Sequence, residues 1–380
     1  MVPLMRGCHV AGARIVKPGR TGIIPEKLCP IGQIHHGELM NVLHRLSCIA
    51  LVALMASACA DQNMTNESSA TDLGNPTPLF SVAGSPMIID FEPTGSEPYV
   101  VGKIHGQHDW LSSGPYDHFV VDNTLAAAFY SYPTFGDQSL RISNAITSGS
   151  FGDQTFSKRT PNYAGESASE CATFCQGTQQ NHFEAEWQFA STVPDAEQPG
   201  LSVVASPDRG DGSRMSWVQM TDTPTGLAIN FFDVRGKSNP SNFVGPTKVA
   251  TGLDRTVPHR IKITMDLFEG PSNDIVKVYV DDALKHTGTS WENYYRYDSE
   301  AAAHGGVPPI VNRILFRTGD PAAPATAGFG FVIDSLNLAT SAVPGSPDAC
   351  KNGGWQTLAR PDGSSFKSQG DCTKYVGSGN

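Results

Sequence analysis

Charged residues are scarce in this chain of 380 residues. Asp, Glu, Lys and Arg make up 17% of it, and the formal net charge is −10. No cluster of Lys or Arg offsets this charge, and a negative field repels phosphate backbones and anionic lipid head groups. We therefore expect no nucleic-acid partner for this protein.

The sequence also lacks a hydrophobic run long enough to cross a bilayer. The longest, SCIALVALMASACA, has about a dozen apolar residues, which is short for a spanning helix and typical of the middle of a signal peptide. Met40 stands where the initiator of such a peptide would be. We therefore interpret residues 40–59 as a signal peptide and residues 1–39 as untranslated or disordered, and we expect an exported protein.

The end of this run leaves two modes of export open. Ala56-Ser57-Ala58-Cys59 resembles a bacterial lipobox, in which the cysteine becomes the lipidated first residue, although Ala56 stands where the pattern prefers Leu. Lipidation of Cys59 would hold the protein at the cell envelope and would be its only contact with the membrane. Cleavage after Ala58 or Ala60, followed by free secretion, is the alternative.

Cysteine is rare after this leader, where four of the eight Cys remain. An even number in an exported chain indicates disulfides, and proximity in sequence pairs Cys171 with Cys175 and Cys350 with Cys372. Zinc at the first pair is the alternative, but with His182 that pair offers only three ligands at irregular spacing.

Glycine and proline are plentiful, with 38 and 27 residues, which favours many short strands joined by turns. The clearest strand is HFEAEWQFA, residues 182–190. Apolar and polar side chains alternate along it, as a half-buried strand requires. The same pattern recurs in HRIKITMDLF and DIVKVYVDD. We therefore predict an all-β protein, with an aromatic, helix-forming loop on its surface at Thr289–Gly306.

Changes in composition divide the rest of the chain. Residues 60–85 are polar and rich in proline, so we interpret them as a linker, followed by a β domain over residues 86–340. A second linker, residues 341–348, leads to a Cys-bounded tail over residues 349–380. We expect that tail to be a disulfide-closed hairpin.

Several segments of the β domain carry a family resemblance. IIDFEP and GFVIDSLNLA frame it, with GQHDW, SLRISN, FEAEWQF and VKVYVDD between them. Together they resemble the concanavalin A-like lectin/glucanase superfamily and laminin G-like bacterial domains. The resemblance implies a two-sheet antiparallel jelly-roll sandwich. It also implies a structural Ca²⁺ between the first and last strands, where Asp90, Glu92 and Asp334 lie; edge charges without a metal are the alternative.

A carboxylate pair is the candidate for catalysis. Glu184 and Glu186 share one face of their strand, and two such carboxyl groups can reach the separations that glycosidases use. The laminarinase-type members of the superfamily carry Glu-x-Asp-x-x-Glu on such a strand. Here Glu186 replaces the Asp and Phe189 replaces the closing acid, which puts that activity in doubt. Jelly-roll lyases resemble one another in a Gln-x-His strand. Here Met220 and Thr221 follow Gln219, so no His stands at that spacing and the lyase pattern is not met.

Glycan binding requires aromatic faces and planar polar groups on one surface. Trp217 and Gln219 share a face of their segment, although a core position for Trp217 is the alternative. The candidate ligand-binding residues are His182, Glu184, Glu186, Trp217, Gln219, Trp291, Tyr294, Tyr295, Arg313 and Arg317.

The sequence as a whole predicts an exported cell-surface domain that binds carbohydrate or another extracellular polymer without catalysis. A polysaccharide-degrading enzyme that uses Glu184 and Glu186, a glycoside hydrolase before a lyase, is the first alternative. A structural envelope protein without a ligand is the second.

Overall fold

Most strands of the protein belong to two antiparallel sheets. The computed structural model describes residues 86–125, 132–149, 152–167, 174–303, 310–318, 320–360 and 364–377. The predicted leader, Cys59 and the first linker lie outside the described residues, as does Cys171. All described residues belong to one compact unit.

The first sheet has nine strands. In chain order they are β1 (Met87–Ile89), β2 (Gly102–Lys103), β4 (Asp117–Asp122), β5 (Gln138–Ser143), β9 (His182–Ser191), β14 (His259–Asp266), β15 (Ile275–Val280), β16 (Ala283–Gly288) and β18 (Phe331–Ser341). They are arranged in the order β16-β15-β14-β9-β18-β5-β4-β2. Strand β1 pairs with β18, so the two segments that frame the domain in sequence are neighbours in the sheet.

The second sheet has seven strands. They are β3 (Leu111–Ser113), β6 (Gln154–Phe156), β10 (Ser202–Asp208), β11 (Val218–Thr223), β12 (Gly226–Arg235), β13 (Asn242–Leu253) and β17 (Arg313–Thr318). Their order is β13-β12-β11-β10-β17-β6-β3. A short parallel pair, β7 (Tyr163–Ala164) with β8 (Gln179–Gln180), stands apart. The predicted two-sheet antiparallel jelly-roll sandwich is confirmed.

The core lies between the two sheets, and β9 shows why the chain folds this way. Its alternate residues Phe183, Ala185, Trp187 and Phe189 are all fully buried in that core. The ring of Trp187 meets Phe316 of the second sheet edge-on, with the ring centres 6.1 Å apart. Removing one such side chain from water contributes about 2–3 kcal/mol, so the period-two pattern fixes which side of β9 faces inward.

Three helices complete the described part of the chain: α1 (Glu292–Tyr297), α2 (Ser299–Ala303) and α3 (Gln369–Gly377). Short 3-10 turns lie at Pro133–Phe135, Pro324–Thr326, Pro347–Cys350 and Gly354–Gln356. None of the described helices has the length and apolar composition that a membrane-spanning helix needs.

The aromatic loop is helical as predicted, but the expectation that it lies on the surface is wrong. Trp291, just before α1, is only 2% exposed and stacks on Trp217, with ring centres 5.7 Å apart and an angle of 19° between the planes. Its indole N–H donates to the Phe232 carbonyl at 2.9 Å. The loop packs against the sheet because this contact removes the apolar surface of these rings from water.

The Cys-bounded tail contains the predicted disulfide between Cys350 and Cys372. Cys175 is also disulfide-bonded, but its predicted partner lies outside the described residues. The predicted hairpin is only part of the tail: Ala359 and Ser365 form one antiparallel bridge, and the tail then continues into helix α3, which was not predicted. Ser368 caps that helix by accepting a hydrogen bond from the Asp371 N–H at 3.1 Å, which is the capping signal in SQGD.

The segment before the tail is fastened to the sandwich. The side-chain amide of Asn181 accepts from the Val343 N–H at 2.8 Å and donates to the Val343 carbonyl at 2.9 Å. The Ala359 N–H then donates to the Ala342 carbonyl. Residues 341–348 therefore follow the edge of the sandwich rather than crossing open solvent.

Candidate functional site

The residues predicted to bind ligand or to catalyse lie on opposite sides of the sandwich. Glu184 and Glu186 point away from the core on the first sheet, because the alternate side chains of β9 fill the core. Trp217, Gln219 and Arg317 lie on the outer face of the second sheet. The structure therefore separates the carboxylate pair from the aromatic and arginine residues.

The carboxylate pair lies on a solvated face with compensating charge. Lys262 of β14 pairs with Glu186 in register, and its Nζ is 4.0 Å from Glu184 Oε2. The side chains of Glu184 and Lys262 are 26% and 31% exposed. Lys262 also lies 4.9 Å from the centre of the Tyr279 ring. Burial, followed by the charge of Glu184, raises the pKa of Tyr279. Catalysis by this pair stays a prediction.

His182, at the start of β9, is nearly buried. Its Nδ1 lies 2.6 Å from Asp266 Oδ1 of the paired strand β14. This contact joins the ends of two neighbouring strands and covers the ring nitrogen that faces Asp266. The position suits a structural role better than contact with a ligand.

Three of the predicted aromatic residues pack with Phe243, which was not predicted, in a small cluster over the second sheet, which we call the aromatic cluster: Trp217, Trp291, Tyr294 and Phe243. Trp291 stacks on Trp217 and meets Phe243 edge-on at 5.1 Å. The hydroxyl of Tyr295 donates to the Arg214 carbonyl at 3.0 Å. Because these rings cover one another, the alternative of a core position for Trp217 is correct.

A row of cross-strand partners crosses the same face, and we call it the cross-strand row. Each member is paired in register with the next, so all the side chains lie on one side of the sheet. From β3 to β13 the row consists of Ser113, Gln154, Arg317, Val204, Gln219, Asn230 and Lys248. Six of these seven side chains are polar.

The centre of the row is held by hydrogen bonds. The amide nitrogen of Gln219 donates to Ser202 Oγ and to Asp320 Oδ2, both at 2.9 Å. Its oxygen accepts from the Asn230 amide at 3.4 Å. Exposure increases from Gln219 through Asn230 to Lys248, so the row is open at the β13 end.

Three arginines lie towards the other end of the row, and we call them the arginine cluster: Arg214, Arg313 and Arg317. Arg317 is only 3% exposed. Burial, followed by repulsion from Arg214, lowers its pKa. The buried carboxylate of Asp208 lies among these groups. Burial and the charge of Asp211 raise the pKa of Asp208 to about 6, against the opposite effect of Arg313 and Arg214.

The loop PDRGDGS covers this end of the row. Asp208 Oδ1 accepts hydrogen bonds from the N–H groups of Gly210 and Gly212. Gly210 has a φ of +109°, and a Cβ there would lie 2.9 Å from the central guanidinium carbon of Arg313. Glycine at this position lets the loop lie directly on the arginine.

The predicted calcium residues lie where the resemblance implies, beside the paired strands β1 and β18. Both Glu92 oxygens accept from the Asp137 N–H, at 3.0 and 3.2 Å. Burial raises the pKa of Asp334 to about 8, and the charges of Glu92 and Asp90 act in the same direction. Carboxylate oxygens are ligands that Ca²⁺ prefers, but calcium at this position stays a prediction.

Several residues of the second sheet's outer face were missed by the sequence analysis: Ser113, Gln154, Asp208, Arg214, Asn230 and Lys248. Each is an ordinary polar residue in its own segment. The signal that joins them is the register of strands far apart in the chain, and one sequence does not reveal that register.

Comparison with known proteins gives weak similarities. No family model and no curated protein matches the chain. Among solved structures, an alginate lyase bound to alginate trisaccharide has 9% identity and a TM-score of 0.38, covering 68% of this chain and 99% of its own. An endo-1,3-beta-glucanase from Streptomyces sioyaensis has 11% identity and a TM-score of 0.35, covering 71% of this chain and 100% of its own.

A carbohydrate recognition domain, that of Emp47p, is also similar. It has 11% identity and a TM-score of 0.30, covering 62% of this chain and 89% of its own. These low values carry no argument about the activity or the ligand of this chain.

Proposed function

We propose that the protein binds an acidic polysaccharide, without cleaving it, along the cross-strand row of the second sheet. The observation that carries this proposal is the row itself, in which three amides and two cations occupy five of the seven strands on one face of the sheet. Six strand spacings of about 4.8 Å give it a length of about 29 Å. An extended polymer lying across β11, β12 and β13 would meet Gln219, Asn230 and Lys248 in succession.

Direct contact is assigned to the open end of the row. Gln219 and Asn230 present planar amides that can pair with sugar hydroxyls, and Lys248 adds an exposed positive charge. The bonds from Gln219 to Ser202 and Asp320 fix the amide before a ligand arrives. A fixed amide loses less conformational freedom on binding.

The arginine cluster favours an acidic sugar over a neutral one. Arg317 is too deeply buried for direct contact, so its contribution is electrostatic. A charge in a site of low dielectric acts over a longer distance than one in water. The net negative charge of the whole chain opposes acidic polymers, so this local positive field selects where on the surface such a polymer binds.

Binding without cleavage is favoured because the row contains no carboxylate. Glycoside hydrolysis commonly uses two carboxyl groups that flank the scissile bond. Asp320 beside the row is engaged by Gln219, and Asp208 is buried beneath its own loop. Export, either to the cell envelope through Cys59 or by free secretion, would bring this surface into contact with extracellular polysaccharide.

The proposal is tested by affinity electrophoresis of the exported protein in gels that contain single polysaccharides, acidic and neutral. We expect retardation by at least one uronate-containing polysaccharide, weaker retardation at higher salt, and no new reducing ends or unsaturated products. Retardation by none of the polysaccharides would overturn the binding proposal. Product release would overturn the non-catalytic assignment.

A further inference from the structure

A buried group of three carboxylates lies away from the cross-strand row, and we call it the acidic trio: Glu166, Asp274 and Glu292. One oxygen from each residue lies within 4.8 Å of the other two. Glu166 comes from the segment after β7, Asp274 precedes β15, and Glu292 begins α1. The trio therefore joins three separate parts of the chain.

The charge of the acidic trio is only partly compensated. Arg296 donates to Glu292 Oε2 at 3.2 Å and also contacts Glu166 Oε2. One guanidinium faces three carboxyl groups, so two of the three have no cation among the described residues to match them.

One carboxylate oxygen of the trio has no hydrogen-bond partner among the described residues. The side chain of Glu166 is only 4% exposed, and its Oε1 is buried and unpaired, whereas Oε2 accepts from the Gly270 N–H. A buried carboxylate oxygen normally has a partner, because leaving it without one is costly. This oxygen therefore indicates a ligand that the protein atoms do not supply.

We propose that the acidic trio binds one Ca²⁺ ion. All three side chains offer oxygen, which hard cations prefer, and none offers the nitrogen or sulfur that zinc favours. Opposite oxygens around Ca²⁺ are about 4.6–5.2 Å apart, so three oxygens within 4.8 Å of one another can reach a single ion. A divalent ion would supply the two positive charges that Arg296 alone does not supply to three ionised carboxyl groups.

One member of the trio borders an open pocket. This pocket of about 360 Å³ is lined in part by Glu166, Phe268 and Glu269. The site is distinct from the calcium position that the family resemblance implies, which involves Asp334 at the first and last strands. The Ca²⁺ would tie α1, which follows Trp291, to the loop before β15.

The inference is tested on the purified exported protein with Tb³⁺ luminescence, Ca²⁺ displacement of the Tb³⁺, and thermal unfolding in Ca²⁺ or EDTA. We expect Tb³⁺ emission sensitised by the neighbouring Trp291 and a higher melting temperature in Ca²⁺. Asp274→Asn and Glu166→Gln should each raise the Kd for Tb³⁺, taken from the emission titration, at least about tenfold, which corresponds to about 1.4 kcal/mol. Asp334→Asn is the matched control and should retain the emission.

Stability without metal distinguishes a cation site from a purely structural cluster. In EDTA, Asp274→Asn should unfold no earlier than the unchanged protein, because it relieves repulsion and can still accept from the Phe268 N–H. The inference is overturned if the unchanged protein binds neither Tb³⁺ nor Ca²⁺. It is equally overturned if Glu166→Gln, which removes the charge of the carboxyl group with the unpaired oxygen, retains full emission while Asp334→Asn loses it.

Discussion

The guanidinium of Arg317 lies over the ring of Trp217, with its central carbon 4.9 Å from the ring centre. Trp291 stacks on the same ring, so Trp217 is held between β17 and the segment that begins α1. A tryptophan in this position anchors the covering segment and leaves no flat face for a sugar. We therefore assign contact with the polysaccharide to the polar side chains at the open end of the cross-strand row.

The anchoring role of Trp217 gives the first prediction. Trp217→Ala removes a buried ring that packs on Trp291 and Arg317, so the free energy of unfolding should fall by about 3–5 kcal/mol. Urea unfolding followed by circular dichroism measures this change. Glu186→Gln, on the solvated face, should change it by less than about 0.5 kcal/mol. Equal effects of the two substitutions would contradict the anchoring role.

A buried histidine gives a prediction about acid. The Nδ1 atom of His118 is 2.7 Å from Thr155 Oγ1, and its Nε2 is 3.2 Å from Ser112 Oγ. Burial lowers the pKa of His118 from 6.5 to about 4, against the opposite effect of Asp117. The unfolded chain therefore takes up the proton first, and the stabilisation present above about pH 6.5 is lost as the pH falls towards 4.

We therefore expect His118→Gln to reduce the acid sensitivity of the fold. Between pH 7.5 and pH 4.5 the free energy of unfolding should fall by about 2–3 kcal/mol less in the variant than in the unchanged protein. Urea titrations at the two pH values give this difference, since the other titrating groups are common to both proteins. The same loss in both would show that His118 is already protonated in the fold.

The disulfide of the tail gives a prediction about proteolysis of the tail alone. Cys350 and Cys372 are 22 residues apart and share a small core with Phe366, Trp355 and Tyr375. Closing a loop of this length contributes about 3 kcal/mol. In the Cys350→Ser, Cys372→Ser double variant, chymotrypsin should cut the tail at these aromatic residues while the sandwich stays resistant. Unchanged resistance of the tail would show that its packing does not require the disulfide.

Period-two alternation was sufficient to predict β9, because each inward residue of that strand is apolar. Together with the family resemblance, the alternation predicted the antiparallel sandwich, and proximity in sequence predicted the pairing of Cys350 with Cys372. Alternation could not show that Glu184 and Gln219 lie on opposite outer faces, because sheet membership depends on pairing between distant strands. Composition likewise predicted the helix in the aromatic loop. It could not show that the ring of Trp217 packs against that loop.

The capping signal of the tail was present in the sequence and was overlooked. Ser368 and Asp371 have the spacing of a helix start, and Arg360 pairs with Asp371 at 2.8 Å. The Cys pair that bounds the tail favoured a disulfide-closed hairpin instead. The acidic trio had no comparable signal, because its members come from three segments separated by up to 126 residues, from Glu166 to Glu292.

The most direct test of the binding surface compares substitutions on the two outer faces. Titration calorimetry with the polysaccharide that retards the unchanged protein would be repeated on Asn230→Leu combined with Lys248→Ala, and on Glu184→Gln combined with Glu186→Gln. The first pair removes an amide and a cation from the open end of the row, so Kd should rise at least about tenfold, or about 1.4 kcal/mol. The second pair should leave Kd within about twofold of its original value. Weaker binding in the second pair with unchanged binding in the first would contradict the account.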